Sequence, residues 1–411
     1  MTGNEAPNLL LTGGRVIDPA NGIDGPASVR LSGGTVVAVG PDLPPTSGET
    51  VLDVSGAIVT PGLIDMHVHC ATSHHRSTLS LDPHVQTFSA GVTTVVDAGT
   101  CGARDFTDFR ERVIDRAKIR VLSYVNIVDS GMGGEWEHDV NEMQPKLAAG
   151  MAAKHPDVVV GIKTAHYWTH KPFDADHPAW AAVDAAVEAG DLAGLPVMVD
   201  FFPWLPDRPY ERLVLEKLRP GDIHTHVFAQ QFPIIDENGK VFDHMYKARE
   251  RGVIFDLGHG AGSFWFRNAV PAIKEGFIPD SISTDLHTGN VAGVVIDMLT
   301  CMNKLLNIGV PLEGVIERST VAPAKEINRP ELGTLTPGGP ADVAVLAMDE
   351  GDFGFVDCER TTLRGTQRLR CEMTVYAGEI VYNPNGRGLT SWEQDQIDNP
   401  MPFHERFLTQ F

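Results

Sequence analysis

Gly62-Leu63-Ile64-Asp65-Met66-His67-Val68-His69 reads as an apolar strand that ends in two histidines one residue apart. Residues i and i+2 of a strand point to one face, so its C-terminal end can offer two imidazoles to one point. Imidazole nitrogen is a ready ligand for zinc and related divalent ions. With 16 histidines in 411 residues, such a pair can arise by chance, and its weight comes from its position. It follows Thr60-Pro61-Gly62 and opens a long alternation of strand and helix patterns. Further strand-like segments lie at 93–99, 120–127, 158–165, 196–201, 222–228, 253–259 and 281–287. Most are continuous apolar or β-branched runs, the pattern of parallel strands buried on both faces. Helix-compatible stretches lie between them, among them Asp105 to Ala117, Trp180 to Ala189 with Gly190 as the expected stop, and Pro209 to Leu218. Eight strands alternating with helices over about 230 residues predict an α/β fold, a (β/α)8 TIM-like barrel. The competing doubly wound sheet lacks a Gly-rich phosphate fingerprint after its first strand.

The ends of the chain read differently. Segments 8–16, 27–40 and 51–59, with 341–348 and 371–383, are short strands punctuated by Gly and Pro. Their occurrence at both termini predicts one composite β-sandwich, residues 1–60 with 330–383, and a barrel, 61–329, inserted between them. The tail 384–411 is polar with scattered aromatics (Trp392, Phe403, Phe407, Phe411) and is expected to wrap another surface. The hydrophobic fraction of 42% and charged fraction of 21% are those of a globular protein. A net charge of −21 argues against nucleic acid and anionic membranes as partners, since it repels both at long range. No stretch approaches the roughly 20 apolar residues that span a bilayer, and Met1 to Pro7 lacks the basic region of a signal peptide. Cys70, Cys101, Cys301, Cys358 and Cys371 are scattered, which fits reduced thiols, and a cytoplasmic location is expected. Cys70 should face away from both histidines and pack as a neighbour.

In a barrel of this kind, polar residues at the C-terminal strand ends build the active site. In strand order they are His67 and His69, Lys163, Asp200, His224 and His226, His259, then Asp285 and His287. Singly, each has an ordinary structural use: a hydrogen-bonded histidine, a lysine reaching water, an aspartate capping a helix. At the same end of successive strands they form a set. Lys163 raises a chemical question, because an ammonium repels a metal cation. Burial and nearby positive charge lower its pKa. The neutral amine can then add carbon dioxide to give a carbamate, whose two oxygens can bridge two ions. The alternative is a lysine that anchors an anionic substrate. Loops after strands three to six carry Trp136, His166, Tyr167, Trp168 and Trp204, which suit an apolar or aromatic moiety or pack the loops together. Arg208 and Arg267 are open to a substrate carboxylate or to surface salt bridges.

PGLIDMHVH (61–69), GVTTVVDAG (91–99), VVGIKTA (159–165), DIHTHVF (222–228), FDLGHGAGSF (255–264) and SISTDLH (281–287) resemble the amidohydrolase superfamily of metal-dependent hydrolases. TVAPAKEI (320–327) and LTPGGPADVAVL (335–346) resemble its usual ending. Within it the chain is similar to the amidohydrolase/deacetylase branch, near the dihydroorotases. The resemblance implies that His67, His69 and Asp285 bind one divalent metal. It implies that Lys163, as a carbamate made from CO2, bridges to a second ion held by His226. Zinc is the expected metal, with manganese or iron as alternatives. The family's usual strand-five histidine is here Asp200, whose carboxylate can also ligate; His224 turning inward is the other way to fill that place. Asp285 is the expected catalytic base and acid, acting on water activated by the metal. His166, Tyr167, His224, His259 and His287 are the expected substrate-binding residues, although His259 in its glycine turn also fits a structural hydrogen bond. The implied activity is hydrolysis of an amide or ester bond of a small molecule, such as an N-acyl amino acid. A cyclic amide hydrolase of the dihydroorotase or hydantoinase kind is an alternative. From another class, a barrel that has lost catalysis could serve in assembly. The family's habit of forming dimers or larger assemblies implies a homo-oligomer.

Overall fold

Seven strands of the barrel form where the apolar runs stand, and the eighth run closes it without becoming a regular strand. The computed structural model describes residues 7–73, 78–165, 167–169 and 171–398. His166 and the tail aromatics Phe403, Phe407 and Phe411 lie outside the described residues. The N-terminal strands are β1 (Leu9–Asp18), β2 (Ile23–Ser32), β3 (Thr35–Gly40), β4 (Thr50–Asp53) and β5 (Ile58–Pro61). The barrel strands are β6 (Leu63–Val68), β7 (Val92–Gly102), β8 (Arg120–Asn126), β9 (Val159–Thr164), β10 (Val197–Val199), β11 (Ile223–His224) and β12 (Ile254–Phe255). β13 (Val343–Val356), β14 (Thr362–Tyr376) and β15 (Glu379–Tyr382) follow.

β6 to β12 pair in chain order, all parallel. Segment 281–287 then joins both edges of that sheet. Ser281 bridges Asp256 beside β12, and Leu286 bridges Val68 of β6, both in parallel sense. The Asp285 N–H donates to the His67 carbonyl at 2.6 Å, and the His69 N–H to the Leu286 carbonyl at 2.9 Å. The architecture is a TIM-like barrel. Ile64, Met66, Ala98, Leu122, Tyr124 and Met198 fill its interior. Fully burying a large apolar side chain contributes roughly 1.5–3 kcal/mol. Outside, the helix Phe106–Arg112 buries Phe106 and Phe109 against the sheet. The helix Ala181–Ala193 runs through Gly190, the expected stop, and ends at Gly194 in the left-handed region at φ +66°. A Cβ on Gly190 would lie 2.7 Å from Val197 Cγ2, so that glycine lets the helix approach β10 instead of ending it.

The two chain ends build one continuous sheet in the order β15-β14-β13-β5-β1-β2-β3, with β4 on β1. β5 pairs antiparallel with β13, Ile58 opposite Leu346, and parallel with β1. Leu11, Val16, Val29, Val59, Val343 and Val375 form a small core of their own. β13 and β14 extend well past the expected segments 341–348 and 371–383, as one long hairpin. That arm has little apolar alternation to read. Charge pairs hold it across the strands, Asp349 meeting Arg368 at 3.2 Å and Arg370 at 3.3 Å. Among the described residues, no helix is long and apolar enough to cross a membrane.

Candidate metal centre

The parallel register of β6 against β7 slips between Asp65 and Val68, an irregularity common beside active sites. Past that point His67 Nε2 and His69 Nε2 both reach Asp285 Oδ1, at 3.4 and 3.0 Å. One ligand atom from each of these residues lies within 4.8 Å of the others. Asp285 sits at φ +52° and His226 at φ +62°. A non-glycine residue held there stores of order 1–3 kcal/mol of strain, which persists only where its surroundings impose it. For Asp285 they do: its N–H is taken by His67, and its carbonyl accepts the Asn290 side-chain amide at 2.6 Å. Gly260, at φ +57°, makes room beside it, since a Cβ there would meet Asp285 Oδ2 at 2.7 Å.

Every metal-facing histidine has its other ring nitrogen engaged. His69 Nδ1 lies 2.8 Å from Thr100 Oγ1, His67 Nδ1 3.0 Å from Thr225 Oγ1, and His226 Nδ1 2.5 Å from the Gly258 carbonyl. A carbonyl only accepts, so His226 carries its proton on Nδ1 and turns the Nε2 lone pair towards Asp200 Oδ2, 3.6 Å away. Lys163 Nζ lies 3.3 Å from His67 Nε2. These six residues line one cavity of about 260 Å³, together with His287, Met132, Gln231 and Ser263. Burial and then the Lys163 charge push His67 down to about 3, so its ring is neutral near pH 7. Burial lowers Lys163 too, against the pull of Asp200 and Asp285. Burial alone would raise the Asp285 carboxyl, but His67 and His69 hold it well below the usual range. Two imidazoles and a carboxylate converging on one point suit a divalent cation. His226, Asp200 and Lys163 line the cavity beside it.

Other expected residues are placed elsewhere. His224 is buried between the barrel and its outer layer, with Tyr210, Phe232 and Phe255 around it at ring distances of 5.3, 4.6 and 6.0 Å. It neither replaces the strand-five histidine nor lines the cavity, because His226 alone is turned inward by its left-handed backbone. His259 is also away from the cavity. Its ring stacks on Phe264 at 4.7 Å, and its Nε2 meets the buried Lys304 amine at 2.6 Å, which is the structural use the sequence allowed. Tyr167 is buried outside the lining, its carbonyl accepting from Arg208 Nη1 at 2.9 Å. Arg208 is no surface salt bridge: it is buried over the Tyr167, Phe173 and Phe201 rings. Arg267 does form one, with Glu359. His287 lines the cavity as expected. Cys70 packs in the apolar core, its thiol pushed well above the usual range by burial. The sequence reading assigned no role to Asp97, Thr100, Thr225 or Asp256. Thr225 carried a usable signal, since the alternation that sends Ile223 inward also sends Thr225 there.

The amidohydrolase family profile matches residues 265–381. A deacetylase of Enterococcus faecalis is 31% identical over 381 residues, covering 92% of this chain and 99% of that protein. A crystal structure of an adenine deaminase is similar with a TM-score of 0.83 at 29% identity, over 92% of this chain and 100% of that one. A dihydroorotase structure follows at TM-score 0.77 and 27% identity, over 91% of this chain and 99% of that one. Barrel, metal-type cluster and near full-length relatives agree: the chain belongs to the amidohydrolase superfamily and is a hydrolase of C–N bonds.

Proposed function

We propose that the protein cleaves an amide bond, or an ester, of a small molecule such as an N-acyl amino acid, with a divalent metal as cofactor. The convergence of His67 Nε2, His69 Nε2 and Asp285 Oδ1 inside one cavity carries this reading. A divalent ion held there, zinc by its liking for imidazole and carboxylate, lowers the pKa of a water ligand towards neutrality and polarises a carbonyl. Asp285 takes the proton of the attacking water and delivers it to the leaving nitrogen or oxygen. Lys163, buried and with its pKa lowered by that burial, is the residue that would take up CO2 as a carbamate, and His226 and Asp200 are the residues that would hold a second ion with it. His287 and Ser263 line the cavity beyond these groups and meet the substrate. Likeness to the deacetylase supports an acyclic amide, and likeness to the dihydroorotase supports a cyclic one cleaved by the same residues.

The purified protein is expected to hold at least one equivalent of a divalent ion. It should turn over one class in a panel of N-acyl amino acids, cyclic amides and adenine. Well under one equivalent, with no hydrolysis on adding zinc or manganese, would instead favour the non-catalytic barrel. Lys163→Ala tests the bridge: metal content should fall and kcat/KM should drop roughly 100-fold or more. Unchanged metal content and activity would remove the carbamate.

A further inference from the structure

His67 and His69 share an arrangement that the resemblance did not supply. Each gives Nδ1 to a threonine hydroxyl, and each hydroxyl stands against a buried aspartate. Thr100 Oγ1 lies 2.8 Å from His69 Nδ1 and 2.9 Å from Asp97 Oδ2. Thr225 Oγ1 lies 3.0 Å from His67 Nδ1 and 2.7 Å from Asp256 Oδ2. Both threonines and both aspartates are 0% exposed.

The direction of these bonds follows from counting protons. Asp97 accepts the N–H groups of Cys70, Ala71 and Thr100, at 2.8, 3.2 and 2.7 Å. Asp256 accepts the hydroxyls of Ser281 and Ser283, at 2.9 and 2.7 Å. At these atoms both carboxyl groups accept from the N–H and O–H groups around them. A hydroxyl has one proton, and here it goes to the carboxylate. The threonine oxygen must therefore accept from the histidine, so the ring proton stays on Nδ1. That makes Nε2, the nitrogen beside Asp285 in both rings, the atom that would be offered to an ion.

We propose that Asp97–Thr100 and Asp256–Thr225 are positioning pairs that fix the tautomer and ring direction of His69 and His67 for metal binding. Without them a neutral imidazole is free to move its proton to Nε2 and lose its ligand atom. The proposal rests on the metal centre described under Proposed function, and two measurements keep the two claims separate. In zinc-loaded protein labelled with 15N at histidine, His67 and His69 should show Nδ1 protonated and Nε2 bound to the metal. This holds whether or not any amide is hydrolysed. In chelator competition with zinc alone, Thr225→Val and Thr100→Val should each weaken affinity by about 10–100-fold, the range for partners of metal ligands. Thr225→Ser and Thr100→Ser should restore it. Valine has threonine's shape, so a purely structural role would leave zinc affinity unmoved in the valine variants. Unchanged affinity there, serine variants that fail to restore it, or zinc-loaded rings not protonated on Nδ1 would each overturn the proposal. A parent protein that binds no zinc would sink the metal-centre reading instead.

Discussion

His224 and His226 stand two positions apart, yet one packs among aromatic rings and the other lines the cavity. Burial, and then the neighbouring His226, push His224 down to about 3. The Val199 carbonyl favours a proton on the ring, yet neither ring nitrogen completes a hydrogen bond. The folded value lies below the ordinary 6.5, so the unfolded chain binds the extra proton. Stability from this ring is complete above about 6.5 and is lost as pH falls towards 3. His155, His244 and His259, each lowered first by burial, act in the same direction. Thermal unfolding of chelator-treated protein should therefore show Tm falling from about pH 7 to about pH 5. His224→Leu should flatten that slope and stabilise the fold at neutral pH by roughly 1–3 kcal/mol, by removing unsatisfied buried nitrogens. A lower Tm for the leucine variant would contradict this account. At this scale the residues that line the cavity were legible in the sequence because spacing and strand ends determine which residues can converge. The side to which His224 turns was not, because a single left-handed residue breaks the strand period that sequence patterns rely on.

Segment 281–287 completes the barrel without a ladder of its own, and Asp65 is what clasps it. Asp65 Oδ1 accepts the Thr284 N–H at 3.0 Å and Oδ2 accepts the Thr284 hydroxyl at 2.6 Å, fully inside the protein. Asp65→Ala would strand two buried donors and should cost roughly 2–4 kcal/mol in urea unfolding. Asp65→Asn, which keeps an acceptor for the N–H, should cost less. Stability within about 0.5 kcal/mol of the parent would show that the clasp holds nothing. Strand positions were readable here because buried parallel strands are continuous apolar runs, and β6 to β12 fall within or beside those runs. The β13–β14 arm was not, because its residues pair through charge across two strands, and such a pairing leaves no period within either strand.

The proposed ligands come from β6 and the residue after it, from β9, from the turns after β10 and β11 and from the closing segment, so a bound ion would tie the barrel together around its circumference. Chelation should lower Tm and added zinc should raise it again in a concentration-dependent way. Free ion at a thousand times Kd is worth about 4 kcal/mol to the folded state. A Tm indifferent to both treatments would mean that no ion binds the native protein preferentially. The terminal sheet joins the molecule in another way, because β5 lies between β1 and β13 and the sheet needs both chain ends. During synthesis, β1 to β5 emerge first and wait with one edge of β5 open while the whole barrel is made. The β5–β13 pairing is among the most distant in sequence, and such contacts form slowly. Until it forms, the open edge can be taken by another nascent chain. A message that stops just after the barrel would thus yield an aggregating protein instead of a shortened enzyme, although every proposed metal ligand would already have been translated.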